Sequence, residues 1–296
     1  MNGELLEQVS SLLADRIAAA APAVIGIGTG HRRTSGILWR PDVVVTSAQN
    51  LPDRTEFALR RGGVALTGHF AGSDGGTNIA LLRLSAPLDA PLPGAAPLPR
   101  VGALALLLGA DEMGAPTARL GMVHRMGPEW HSRAGGRIDA LVRIDARLGT
   151  DEGGPVLDAA GRLIGMSTGG PRGRTLVIPA ATIARVLDPL LADGRIARGW
   201  LGVGLQPVVV PEGLREVASH ESGMMVISLA ANGPAALAGL LPGDILLDLD
   251  GAPLGRARAL AAAMGPERIG SAVQVRLLRA GAVQTLSVVI AARPAA

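Results

Sequence analysis

Few side chains among these 296 residues could do covalent chemistry. The chain has no cysteine, which removes disulfides, thiol nucleophiles and Cys-ligated zinc together. His31, His69, His124, His131 and His220 are scattered without metal-ligand spacing. No cofactor and no metal is expected. What stands out is a carboxylate among glycines, in Gly149-Thr150-Asp151-Glu152-Gly153-Gly154-Pro155-Val156. On its own, Asp151-Glu152 reads as a solvated acidic pair and Gly153-Gly154-Pro155 as a tight turn.

That string resembles the Gly-Asn/Asp-Ser-Gly-Gly-Pro segment around the nucleophile of trypsin-like serine proteases, with Glu152 at the nucleophile's position. Upstream, Val43-Val44-Val45-Thr46-Ser47-Ala48-Gln49-Asn50 resembles the strand and Thr-Ala-Ala-His that carry the general base, with Gln49 at the base's position. Thr77-Asn78-Ile79-Ala80-Leu81-Leu82-Arg83-Leu84 is similar to the Thr-Asp-Leu-Ala-Val-Leu-Arg-Leu segment of the orienting acid, with Asn78 there. The order and approximate spacing of the three fit the bacterial HtrA (Deg) group, over about residues 23–290.

The resemblance implies a protease architecture, and the substituted side chains argue against its reaction. A serine hydroxyl needs a base, and imidazole titrates near neutrality, whereas the Gln49 amide has no useful basicity. Asn78 carries no charge to stabilise an imidazolium. In chymotrypsin-type enzymes, Asn for the acid alone costs about 10⁴ in turnover. The charge of Glu152 opposes the oxyanion that such a site holds. Thr150 replaces a glycine whose N–H helps form the oxyanion hole, and a β-branched residue is stiffer there. The expectation is a protein that is not an enzyme, a pseudoprotease without catalytic residues. In the family, His124 and His131 flank a loop near the cleft, so a metal with Glu152 is a further reading of the site beside the solvated acidic pair.

A second motif has its own chemistry. Gly233-Pro234-Ala235-Ala236-Leu237-Ala238-Gly239-Leu240-Leu241-Pro242-Gly243-Asp244-Ile245-Leu246-Leu247-Asp248-Leu249-Asp250-Gly251 is similar to the central signature of PDZ domains in HtrA proteins. Trp200-Leu201-Gly202-Val203 matches that group's carboxylate-binding loop, written aromatic-aliphatic-Gly-aliphatic. PDZ domains add an extended peptide beside an exposed strand and hold its terminal carboxylate with backbone N–H groups. Gly202 is needed so that those donors converge without a Cβ. The resemblance makes Trp200, Leu201, Gly202 and Val203 peptide-binding residues, with Leu260 and Met264 as walls for the last side chain and Arg198 as added charge.

Positioning these residues takes three expected regions: an N-terminal amphipathic helix (1–22), a trypsin-like double β-barrel (23–195) and a PDZ domain (196–296). In residues 4–19, Leu5, Leu6, Val9, Leu12, Leu13 and Ile17 recur at helical spacing, for packing on the barrel or for an oligomer contact. Short apolar runs broken by Gly, Pro, Asp and Asn follow: Val24–Ile27, Ile37–Trp39, Val43–Thr46, Ile79–Leu84, Leu104–Leu108, Leu141–Ile144 and Leu163–Met166. Five prolines between Pro87 and Pro99 mark a linker between barrels. A helix over Pro179–Asp193 ends at Gly194, and a groove helix spans about Arg256–Met264 before strands at Val273–Leu278 and Gln284–Ile290. The fold class is mainly β.

Composition narrows the partners. There is no lysine, net charge is +3, and arginines are interspersed with acids, so no nucleic-acid surface is expected. No stretch approaches the roughly 20 apolar residues of a membrane span. The first residues lack a basic region and carry Glu4, Glu7 and Asp15. This gives a cytoplasmic expectation, or a periplasmic one if a leader is removed. The expected function is binding of extended peptides or protein C-termini as an adaptor or chaperone-like module, as a homo-trimer or in a mixed oligomer. The alternatives are a hydrolase using Glu152 and a structural subunit paired with an active homologue.

Overall fold

The computed structural model describes residues 2–30, 33–89, 92–170, 173–254, 260 and 263–294. They form two compact units. One comprises residues 1–130 and 138–196; the other comprises residues 131–137 and 197–296.

The first unit opens with α1 (Asn2–Ala20), which stops where Pro22 enters a 3₁₀ turn. Leu13 and Ile17 pack on the core, while Leu5, Leu6, Val9 and Leu12 stay exposed. The stripe is therefore only partly used within this chain. A closed barrel follows, made of β1 (Val24–Gly28), β2 (Arg33–Arg40), β3 (Val43–Ser47), β4 (Glu56–Arg61), β5 (Val64–Asp74) and β6 (Ile79–Leu84), in the order β1-β2-β3-β6-β5-β4. After β7 (Leu104–Ala110) and β8 (Pro116–Gly127) come the two-residue strands β9 (Trp130–His131) and β10 (Arg137–Ile138). The second barrel joins β7 and β8 to β11 (Leu141–Ile144), β12 (Pro155–Asp158), β13 (Leu163–Gly169) and β14 (Thr175–Pro179), in the order β11-β14-β13-β12-β7-β8.

With almost no aromatic side chains, the interiors are filled by Ile, Leu and Val. Ile25, Ile27, Leu38, Leu59 and Leu82 fill the first barrel with Phe57, and Val123, Val142, Ile144, Val156 and Val177 fill the second. A third cluster joins the barrels through Val24, Ile37, Val45, Leu106, Leu108 and Met166. It also takes Ile183, Val186, Leu187 and Leu190 from α2 (Ala180–Asp193). Gly194 closes α2 in the left-handed conformation, φ 68°, with its N–H on Leu190 O.

Every apolar run read from the sequence lies in a strand. Strands β4, β5 and β8 lacked such a run, because exposed Glu56, Thr67, His69, Arg119 and Arg125 interrupt their apolar residues.

In the second unit, β15 (Gly199–Trp200) leads into β16 (Val203–Val209). Two short helices follow, α3 (Arg215–Ala218) before β17 (Ser222–Leu229) and α4 (Pro234–Leu237) before β18 (Ile245–Leu249). The two-residue strand β19 (Ala252–Pro253), then β20 (Ala272–Arg279) and β21 (Ala282–Val289), complete a sheet of order β16-β17-β18-β20-β21, with β19 against β18. β16 is an edge. The last strand, β22 (Ala291–Ala292), returns to pair with β15. Of the expected groove helix, residues 256–259, 261 and 262 lie outside the described residues; Leu260 and Ala263 are helical.

Candidate functional site

Gln49, Asn78 and Glu152 meet. The loop after β5 is built around Asp74, whose carboxylate accepts the N–H groups of Gly76 and Thr77 and the Thr77 hydroxyl. The turn places Asn78 at φ 58°, a conformation asparagine tolerates. Asn78 Oδ1 accepts the backbone N–H of Gln49 at 2.8 Å, fixing the turn after β3. Its Nδ2 donates to Ser47 Oγ (2.9 Å) and Thr168 Oγ1 (2.7 Å). The Gln49 side chain then donates through Nε2 to Glu152 Oε1 (2.5 Å) and Thr168 Oγ1 (3.1 Å).

Glu152 is held from several sides. Oε1 also accepts from the Gly169 N–H (2.9 Å) and the Thr168 hydroxyl (3.2 Å). Burial alone would push this carboxyl up. The Gly169 N–H, the Asn50 and Gln49 amides and the Thr168 hydroxyl outweigh it and hold the group below its ordinary range. The site therefore carries a fixed, ionised carboxylate in an amide and hydroxyl cage. Of the cage, Thr168, Gly169 and Asn50 were missed in the sequence; Asn50 was next to a flagged residue, and the other two sit at the end of β13 without any motif.

The turn carrying Glu152 is gripped by the first barrel. Glu152 O accepts the Ser35 N–H (2.8 Å) and the Thr34 hydroxyl (2.5 Å), and Ser35 Oγ donates to Thr150 O (2.7 Å). Gly153 sits at φ +87°, where a Cβ would collide with Ser35 O and Thr46 Oγ1; a Cβ on Gly154 would collide with Leu108 O. These glycines are required by space as well as by the turn.

One sequence reading changes here. Asp151 is not a solvated acid: it is 1% exposed, with Oδ1 accepting Arg119 Nε (3.0 Å) and the Gly149 N–H (2.8 Å). A buried carboxylate needs such partners, and Arg119 comes from β8, far away in sequence. Thr150 keeps an ordinary negative φ. Its N–H has no partner among the described residues, while the Glu152 N–H is turned towards Gly149 O at 3.4 Å. Neither hydroxyl nucleophile nor imidazole is present at the three positions. Among the described residues no group of three His, Asp or Glu could hold a metal.

The second site is a cavity of about 190 Å³, lined by Arg198, Trp200, Leu201, Gly202, Val203, Leu260, Met264 and Arg293, with Gly199 and Ala134. All six residues assigned from the sequence border it. The side chain of Leu201 is buried in the core, so Leu201 offers backbone to the cavity. Leu201 O accepts the Ala235 N–H (2.9 Å) and Gly202 O accepts the Ala230 N–H (2.8 Å). Carbonyl and N–H point oppositely across a planar trans peptide. The Gly202 N–H is thus turned away from Ala235, and neither the Leu201 nor the Gly202 N–H has a partner among the described residues. Gly202 lies at φ +75°, with the Trp200 ring and Ala230 only 3.2 Å from where a Cβ would stand. Arg293, which sequence reasoning missed, arrives through the β22–β15 pairing.

Residues 34–166 match the trypsin-like peptidase domain family and residues 201–290 the PDZ domain family. A probable periplasmic serine endoprotease, DegP-like, of Rhizobium meliloti (strain 1021) is 33% identical over 166 residues, covering 54% of this chain and 33% of the relative. Its namesake in Pseudomonas fulva (strain 12-X) is 26% identical over 341 residues, covering 94% of this chain and 70% of the relative. The chain spans about a third of the length of the first of these. Among solved structures, the HtrA-type protease AlgW with a tripeptide superposes with TM-score 0.71 at 25% identity, covering 96% of this chain and 98% of AlgW. The serine endoprotease of Yersinia pestis gives TM-score 0.74 at 23%, covering 95% and 98%.

These names correct two expectations. Relatives named serine endoproteases point to an enzyme, against the expectation of a non-enzymatic protein. Relatives named periplasmic point away from the cytoplasm. Fold, motif order and relatives agree: the chain is similar to the HtrA-type proteins and, like them, carries a trypsin-like double barrel followed by a PDZ domain.

Proposed function

We propose that this HtrA-like chain binds extended peptides or protein C-termini, with the terminal carboxylate held at Leu201-Gly202. The observation that carries this is the pair of backbone N–H groups at the cavity without partners among the described residues. A buried donor left unpaired costs about 1–3 kcal/mol, so a loop that leaves two open is shaped for an outside acceptor. The edge strand β16 supports the same reading, because a peptide can extend its sheet. Pro207 lacks an N–H, so the added ladder is confined to the first half of β16. The solved relative named with a tripeptide fits a site of this kind.

The test is calorimetric titration of the whole chain with peptides ending in an apolar residue, free and amidated. Amidation removes the anion, and charge-assisted bonds are worth roughly 1.5–3 kcal/mol, so affinity falls by about tenfold or more. Equal binding of both forms would rule the carboxylate site out.

A second reading follows the relatives' names: the barrel site is a hydrolase site that works through Glu152, whose ionised carboxylate occupies the nucleophile's position. With no hydroxyl or imidazole at the three positions, Glu152 acts there as base for a water molecule. Release of peptides from unfolded casein, abolished by Glu152→Gln, is the expected result; cleavage that survives Glu152→Gln sinks this reading.

A further inference from the structure

The outer face of the second barrel gathers cations where β8 bulges. Arg125 on β8 stands directly opposite Arg143 on β11, while the next pair is Ile144 with Val123. His124 is the extra residue, so His124 and Arg125 together oppose Arg143. Val123, Val142 and Ile144 are buried inside the barrel, which turns His124, Arg125 and Arg143 outwards. Arg174, just before β14, joins them, with Nη1 3.3 Å from His124 Nε2. A guanidinium only donates, so Nε2 accepts and the ring proton sits on Nδ1. That Nδ1 is buried without a partner, and so is Arg143 Nε. Arginines directly opposite each other across a ladder repel. Among the described residues none of the three guanidinium groups forms an ion pair, not even with Asp145, two residues beyond Arg143. The patch is separate from the Glu152 cage. Arg143 pairs with Leu176 and Leu176 with Thr168, which puts the Arg143 and Thr168 backbones two strand spacings, about 10 Å, apart.

Buried donors without acceptors, set among cations, call for an anion from outside. A phosphate carries roughly two charges and several strong acceptor oxygens, which suits a fork of arginines better than a single carboxylate does. We infer that Arg125, Arg143, Arg174 and His124 form a binding site for a free phosphate-type anion. The anion accepts from Arg143 Nε and His124 Nδ1 and offsets the Arg125–Arg143 repulsion. No covalent bond forms or breaks, and the site is independent of peptide binding at Leu201-Gly202. A free anion fits because the two donors are buried, so a larger molecule would have to leave its body outside.

The experiment is calorimetric titration of the whole chain with inorganic phosphate at a fixed, low ionic strength, because such contacts are screened by salt. Acetate and O-phosphoserine are titrated beside it. The expected result is one phosphate per chain, bound about tenfold or more tighter than acetate and tighter than O-phosphoserine. Arg125 is exposed, so Arg125→Gln leaves the fold alone and weakens phosphate binding about threefold to tenfold. Arg143→Gln removes a buried donor and weakens it about tenfold or more. Arg162→Gln, which removes a charge paired with Asp158, leaves it unchanged. No binding of phosphate, or equally tight binding of acetate, overturns the inference. So does an equal loss in Arg162→Gln, which would mark a response to net charge alone. Tighter binding of O-phosphoserine than of phosphate rules out a free anion as the ligand. If Arg143→Gln fails to fold, Arg125→Gln decides by itself, and an unchanged phosphate affinity there sinks the site.

Discussion

The two sites hold backbone and amide donors in opposite ways. At the barrel site the donors are aimed inwards at a side chain the protein supplies, since Glu152 Oε1 collects Gln49, Thr168 and Gly169. At Leu201-Gly202 the carbonyls are tied back to Ala235 and Ala230, and the N–H groups are left open. The first arrangement contains its own anion; the second lacks one. A recognisable loop string does not separate these cases. What separates them is where each donor's partner comes from.

The sharpest way to break this contrast is at the glycines that shape each loop. Gly153→Ala puts a Cβ into Ser35 O at φ +87° and should cost about 3 kcal/mol or more, by steric and backbone strain together. For a unit of this size that is a fall of about 6–12 °C in Tm, read by scanning calorimetry. Gly75→Ala, where a Cβ meets nothing within 4 Å, is the control and should shift Tm little. An equal shift in both would mean that the turn at 153 can relax and does not depend on its glycine. Gly202→Val should instead lower peptide affinity about tenfold or more, since φ +75° and the Trp200 ring both exclude a branched side chain. Peptide binding unchanged in Gly202→Val would show that the loop donors do not hold the ligand.

A smaller effect is expected beneath Glu152. Asp151→Ala leaves Arg119 and the Gly149 N–H without their acceptor, and should cost about 2–3 kcal/mol in chemical denaturation. Arg119→Ala should cost at least as much, because it leaves the buried Asp151 carboxylate with only the Gly149 N–H, whereas the half-exposed Arg119 can turn to water when Asp151 is lost. The double variant should cost less than the sum of the two singles, the signature of a coupled pair. Strict additivity would show that the contact contributes nothing measurable.

Asp151 also shows what the sequence could not reveal. Gln49, Asn78 and Glu152 were placed together because each lies in a string that is recognisable on its own. The burial of Asp151 depends on Arg119, an exposed residue of a strand with no apolar run, and nothing near Asp151 announces that partner. Arg293 escaped for a similar reason. It reaches the cavity through two strands of two residues each, paired across more than 90 positions of sequence. Local periodicity reads barrel strands such as β3 and β6 well, and long-range pairing of short polar segments hardly at all.

The smallest effect tests whether Glu152 is held as an anion. Its folded-state pKa lies below the ordinary value, because the Gly169, Asn50, Gln49 and Thr168 donors outweigh the opposing effect of burial. A lowered pKa means that the folded state prefers the charged form, so this stabilisation is fully present above the ordinary glutamate range, near ~4.3. It is lost as pH falls through the folded-state value. Glu152→Gln keeps a similar shape and acceptor but cannot ionise, so it lacks this pH-dependent part. The Tm gap between wild type and Glu152→Gln, measured by calorimetry, should therefore be constant from neutrality down to about pH 5 and narrow steadily in more acid buffer. A gap that widens in acid would mean that burial dominates and that the carboxyl is neutral near pH 5. In that case the cage binds Glu152 as a hydrogen-bonding acid, and the barrel site no longer contrasts with the open loop as a site that carries its own anion.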